Sequence, residues 1–171
     1  MVATNSRLTP APGELASRLR LGRRCRVMMV ASGGGHWIQL LRLRPAFDGA
    51  DLSFVSTIDS CRDQVTGHRF YRVSDANIRT KAKLLMLAAG VSMAMGRERP
   101  DLVVSTGAAP GYFALRVGKA IGARTIWVDS MANADRLSLA GRKVRPHADL
   151  WLTQWPHLAS EQGPAYFGSV L

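Results

Sequence analysis

Residues 26–41 read RVMMVASGGGHWIQLL, and this stretch decides the fold class. A short, almost wholly apolar run, Val27 to Ala31, feeds straight into Ser32-Gly33-Gly34-Gly35-His36, after which Trp37, Leu40 and Leu41 return at helical spacing. A strand covered on both faces reads as a continuous apolar run, and a glycine-rich turn opening into a helix is the first half of a βαβ unit. Further along, β-rich runs recur at 51–57 (DLSFVST), 69–73 (RFYRV), 101–106 (DLVVST), 124–130 (RTIWVDS) and 149–155 (DLWLTQW). Between them the pattern predicts helices at 36–45, 59–66, 77–97, 110–121 and 135–144. This alternation predicts an α/β domain with a Rossmann-like parallel sheet of about six strands, its ligands held at the carboxyl ends of the strands.

The 171 residues and 47% hydrophobic content match one domain with a true core. That domain is expected over 25–171, preceded by a basic flexible arm at 1–24 that lacks the apolar core of a signal peptide. Cys25 and Cys61 form no paired motif, and His36, His68, His147 and His157 have no metal-ligand spacing. These patterns point away from a disulfide scaffold and from a zinc hydrolase, and neither a metal nor a cofactor is expected. The net charge of +11, with 19 of 23 cations being Arg, favours an anionic partner: nucleic acid, anionic lipid or a phosphorylated substrate.

Three loops carry the chemistry. The first is Ser32, Gly33, Gly34, Gly35 and His36, where turned backbone N–H groups and a helix N-terminus suit a phosphate or pyrophosphate. It is not the dinucleotide fingerprint, since Ile38 takes the last glycine position, and no Gly-Lys-Ser/Thr follows as in a P-loop. The second runs through Ser105, Thr106, Gly107, Pro110 and Gly111. The third ends a strand with Asp129 and Ser130, delivering a carboxylate to the same edge; the same Asp also suits the cap of the next helix. Together they offer donors for phosphate, an imidazole that titrates near neutrality and a carboxylate, while GxSxG is absent. Transfer between phosphorylated molecules fits better than hydrolysis, with His36 or Asp129 as the base.

SGGGHWIQLL, PDLVVSTGAAPGYFAL, WVDSMANADRLSLAGRKV and ADLWLTQWPHL with the terminal YFGSVL resemble, in order and spacing, the membrane-recruiting subunit of split UDP-sugar glycosyltransferases, over about residues 26–171. A more distant resemblance is to the N-terminal half of the peptidoglycan lipid-intermediate GlcNAc transferase. The resemblance implies one half of a GT-B architecture that binds a lipid-pyrophosphate-linked saccharide acceptor. A separate small partner would bind the UDP-sugar, GlcNAc being the sugar implied, and the chain length suits that division. In eukaryotes the family adds the second GlcNAc to dolichol-linked pyrophosphate; bacterial relatives serve exopolysaccharide and lipopolysaccharide assembly. The third loop departs from the family pattern, which has Glu followed by Phe-Ala-Arg where this chain has Asp129, Met131, Ala132 and Asn133.

The eukaryotic members' membrane helix is not seen in this sequence. Leu84 to Gly96 is a 13-residue uncharged run bracketed by Arg79, Lys81 and Lys83 and by Arg97 and Arg99. A helix of that length covers about 20 Å, short of the roughly 30 Å hydrocarbon core, so it does not span a bilayer. Two readings stand: a helix buried against the sheet, or one resting Leu84, Leu85 and Leu87 in an anionic membrane interface with its basic ends beside the headgroups. The second implies peripheral attachment at the cytoplasmic face, the bacterial inner membrane for a bacterial chain. A stand-alone Rossmann nucleotide-sugar enzyme is one alternative, and a basic nucleic-acid-binding module is another, resting on charge alone; nucleic acid is not the expected partner.

Overall fold

The computed structural model describes residues 24–76 and 80–170. Seven parallel strands form one sheet: β1 (Arg26–Val30), β2 (Asp51–Ser56), β3 (Arg69–Arg72), β4 (Leu102–Ser105), β5 (Arg124–Val128), β6 (Leu150–Thr153) and β7 (Ala165–Tyr166), in the order β3-β2-β1-β4-β5-β6-β7. Six of these match the expected runs. The seventh adds to them: Ala165–Tyr166 is two residues long and joins the sheet by pairing with Leu152 and Thr153, too little chain to show a period.

Among the described residues four α-helices make crossovers: α1 (Gly35–Leu43), α2 (Lys81–Glu98), α3 (Ala108–Ala120) and α4 (Leu139–Val144). The expected helix at 59–66 is instead a 3-10 helix, Asp59–Val65, that covers β2 and β3. Two apolar layers flank the sheet. On one face Met29, Phe54, Trp37 and Leu40 pack under α1, with Trp37 edge-on to Phe54 at 5.9 Å. On the other, Met28, Val30, Val103 and Trp127 meet Leu87, Val91, Ala114 and Leu115 of α2 and α3. Strands covered on both faces must be apolar throughout, which is why β1 and β4 carry hardly a polar residue.

The end of the sheet away from the loops is fastened by charge. The buried Glu98 takes both carboxylate oxygens to Arg69 Nε at 2.8 Å and accepts the Tyr71 hydroxyl at 2.5 Å, tying the last turn of α2 to β3. Burial first, and then its bond to Glu98, push the Tyr71 phenol above its ordinary value.

The expected arm at 1–24 lies, except for Arg24, outside the described residues, as does Arg79.

Candidate functional site

The order of strand addition reverses at β1, whose neighbours are β2 on one side and β4 on the other. The loops leaving β1 and β4 therefore diverge to opposite faces and open a crevice between them, where ligands of doubly wound sheets bind. His36 and Thr106 meet there. The imidazole Nδ1 lies 3.1 Å from the Thr106 carbonyl oxygen, and the Thr106 hydroxyl donates to the His36 carbonyl at 2.6 Å. A carbonyl can only accept, so Nδ1 carries the proton, and Nε2 is the nitrogen that holds the lone pair in the ring's neutral form. Nε2 has no partner among the described residues.

Two glycines set this geometry. A Cβ on Gly107 would lie 2.6 Å from His36 Nδ1, and its φ of +139° is one that side chains rarely adopt. A Cβ on Gly111 would meet Ser105 Oγ and the Trp127 ring, so α3 approaches β4 and β5 only because that atom is missing. Gly34 stands at φ +69° as the N-cap of α1, with no side chain capping the helix; Gly107 holds the same place for α3. Both N-termini keep their first N–H groups clear of side-chain caps. Ala108, at φ +63°, is a strained non-glycine residue beside His36's ring contact, a feature no sequence pattern announces.

Several expected contact residues belong to the supporting layer. Ser105 and Thr106 are fully buried; Ser105 Oγ accepts the Gly107 N–H at 3.2 Å, so neither that hydroxyl nor that N–H is open to a phosphate. Ser130 is also buried, with its Oγ accepting from Gln39 Nε2 and the Ala132 N–H. Asp129 is corrected most clearly. It is 1% exposed, and its Oδ1 accepts the Trp127 indole at 3.1 Å and the Ser138 hydroxyl at 2.6 Å, while Oδ2 accepts the Ser138 N–H at 2.8 Å. A carboxylate so engaged does not face a substrate. Ser138, not Asp129, caps α4, accepting the Gly141 N–H at 2.8 Å.

Asp129→Asn replaces one acceptor oxygen by an NH2 group and leaves a donor facing either the Ser138 N–H or the Ser138 hydroxyl and indole. The expected cost is about 1–3 kcal/mol of stability, read by urea titration, with the pH profile of turnover unchanged. A shifted profile at wild-type stability would restore Asp129 as a base.

The exposed or half-buried members of the first loop, Ser32, Gly33, Gly34, Gly35 and His36, remain at the crevice. Gly33 is held from below, its N–H donating to Thr57 Oγ1 at 3.4 Å, and Ile58 fills the space a Cβ would need. Beside His36 opens a cleft of about 720 Å³. Its wall includes Ala108, Tyr112, Phe113, Asn133, Ser138 and Lys143; of these the sequence drew notice only to Asn133, as a departure from the family pattern. Gln39 was missed as well: it is buried on the inner face of α1, accepting from Gln154 Nε2 at 2.8 Å and from the Met131 N–H at 3.3 Å. A polar residue between Trp37 and Leu40 on an apolar face was the available signal.

Helix α2 turns Leu87, Val91, Ala94 and Met95 inward, so Leu87, fully buried, is corrected from membrane contact to core. Leu85, Met86 and Met93 are exposed at 73%, 62% and 60%, and Leu84 borders the cleft. Lys81 and Lys83 are exposed at the end of α2 near the cleft; Arg97 and Arg99 are exposed at the other end, about 27 Å away for a helix of this length. Among the described residues no helix is long and apolar enough to cross a membrane.

The protein MurG of Acinetobacter baumannii superposes with a TM-score of 0.70 over 86% of this chain and 46% of its own, at 14% identity. The fold is that of a GT-B glycosyltransferase lobe. A UDP-N-acetylglucosamine 2-epimerase from Rickettsia bellii shares that lobe, with a TM-score of 0.65 over 86% of this chain and 46% of its own at 15% identity, so the lobe alone does not name a reaction. No family model matches the sequence. By sequence the chain is similar to the UDP-N-acetylglucosamine transferase subunit ALG14 of Yarrowia lipolytica, 35% identical over 81 residues, 44% of this chain and 38% of that one. The Schizosaccharomyces pombe subunit of the same name is 34% identical over 79 residues, 42% and 37% of the two chains. These matches span under two fifths of the relatives' lengths. The Candida albicans subunit aligns over 94% of this chain and 84% of its own at 20% identity.

Proposed function

We propose that this GT-B lobe is the acceptor-binding, membrane-recruiting subunit of a two-component inverting glycosyltransferase. The enzyme would move GlcNAc from UDP-GlcNAc to a lipid-pyrophosphate-linked saccharide. The observation that carries the reading is the His36–Thr106 lock at the β1/β4 switch point, beside two helix N-termini without side-chain caps. A diphosphate seated over Gly34 and Gly35 gains from the positive end of α1, and the imidazole beside it keeps Nε2 ready to take the proton of an acceptor hydroxyl. Ser105, Thr106, Gly107, Gly111, Asp129 and Ser130 serve by holding the three loops in place. The similarity to proteins named as UDP-N-acetylglucosamine transferase subunits supports a divided enzyme, in which a small partner supplies the UDP-sugar site.

Membrane recruitment is supported by the exposed Leu85 and Met86 next to Lys81 and Lys83, on the same helix that borders the cleft. Cations beside an anionic leaflet contribute about 1 kcal/mol each, so attachment would be peripheral and salt-sensitive. The proposed location is the cytoplasmic face of a membrane, the bacterial inner membrane where the product feeds exopolysaccharide or lipopolysaccharide. The test is transfer of labelled GlcNAc to a polyprenyl-diphosphate-linked sugar by this chain with its copurifying donor-binding partner. Turnover in the complex and none in either chain alone is expected; full turnover by this chain alone would overturn the reading.

A further inference from the structure

We propose that Lys143 is the cationic contact of the acceptor site, meeting the diphosphate of the lipid-linked acceptor proposed above while the first carbons of its lipid lie along the cleft wall beside it. The proposal deepens the acceptor-binding reading and rests on it for the reaction, though not for the binding.

Cleft composition points this way. Of the side chains that line it, Lys143 is the permanent cation, and no carboxylate is among them. The nearby acid, Asp129, is buried beneath the loop with both oxygens engaged. Lys143 itself has no hydrogen-bond or ion-pair partner among the described residues, whereas Lys119 on α3 is paired with Asp149. An unpaired ammonium on a cleft free of acidic groups raises the local concentration of anions.

Apart from Asn133 and Ser138, the rest of the wall is largely apolar, with Leu84, Tyr112, Phe113 and Leu139 its large side chains. Its volume, about 720 Å³, falls within the range of small-molecule sites. A purely polar phosphate compound leaves that wall wet, and a hydrocarbon alone leaves Lys143 without a counter-charge. A molecule with both parts satisfies both ends. The placement of Lys143 follows from Asp129: its bonds to Ser138 fix the cap of α4, a Cβ on Gly141 would strike Asp129 Oδ1, and the helix then turns Leu139, Ala140 and Lys143 toward the cleft while Gly141 and Val144 are buried. A cation thus reaches the site from α4, where the third loop itself offers Met131, Ala132 and Asn133.

Calorimetric titration of the full chain with farnesyl diphosphate, inorganic pyrophosphate and farnesol tests the proposal. Farnesyl diphosphate is expected to bind at least about tenfold more tightly than either other probe. Lys143→Ala should weaken it about tenfold, the size of one charge-assisted contact, while Lys143→Arg retains most of the affinity. Because Lys143 is exposed, thermal melting should be unchanged in both variants. Leu139→Asn should weaken farnesyl diphosphate and leave pyrophosphate as it was. Wild-type affinity in Lys143→Ala, or equal binding of pyrophosphate and farnesyl diphosphate by the native chain, would overturn the site. Lys143-dependent binding by a chain whose complex transfers no sugar would sustain the site and sink the transferase reading; sugar transfer with an unchanged acceptor KM in Lys143→Ala does the reverse.

Discussion

A His36→Ala chain, assembled with its donor-binding partner, is expected to turn over about 10²- to 10⁴-fold more slowly than wild type, the usual worth of a positioned general base. The expectation follows from the tautomer. Nδ1 is committed to the Thr106 carbonyl at 3.1 Å, which leaves Nε2 as the ring's basic atom in a cleft that holds no competing open carboxylate. The complex should still assemble, and acceptor KM should change less than kcat, because the helix N-terminus at Gly34 and Gly35 is untouched. Steady-state kinetics on the complex checks both, and wild-type turnover in His36→Ala excludes the base role. Thr106→Val offers an independent measure: it removes the hydroxyl that donates to the His36 carbonyl and keeps the carbonyl that fixes the ring. Its rate loss should be smaller than that of His36→Ala.

Leu87→Ala should destabilise the domain by about 2–5 kcal/mol, because a fully buried leucine leaves a cavity between α2 and the sheet that its neighbours fill only in part. Leu85→Ala, two residues earlier and 73% exposed, should change stability by no more than about 0.5 kcal/mol. Chemical denaturation measures the pair. Membrane binding should show the opposite ranking. Leu85→Ser combined with Met86→Ser is expected to lower cosedimentation with anionic vesicles at constant melting temperature, and raised salt should lower it further. If the double variant pellets with vesicles as fully as wild type, α2 is not the attachment surface. The contrast works because both leucines lie in one uncharged run, yet one helix face meets Val91, Ala94 and Met95 while the other meets solvent.

Element type and order were legible in the sequence. The apolar texture of RVMMVA and DLVVS could belong only to strands covered on both sides, and the glycine-rich turn after β1 fixed where the first helix begins. The meeting of three loops at one edge follows from that alternation alone, since parallel strands send every carboxyl end to the same side of the sheet. The +11 charge and the residues of the first loop therefore already pointed to an anionic ligand at that edge.

Which polar groups face the crevice was decided only by tertiary structure. Asp129, Ser105, Thr106 and Ser130 look like site residues in a linear reading, but their partners lie elsewhere in the chain: Ser130 is held by Gln39, 91 positions away, and Thr106 by His36, 70 positions away. A side chain's hydrogen bond is set by what packs against it, and no local period encodes a neighbour at that separation. The same holds for Lys143, which the sequence presents as one more surface cation and which reaches the cleft only because Asp129 fixes the start of α4. Helix rotation likewise had to be seen. A run that is apolar on every side buries whichever face the sheet accepts, and α2 gave Leu87 to the core and Leu85 to the surface.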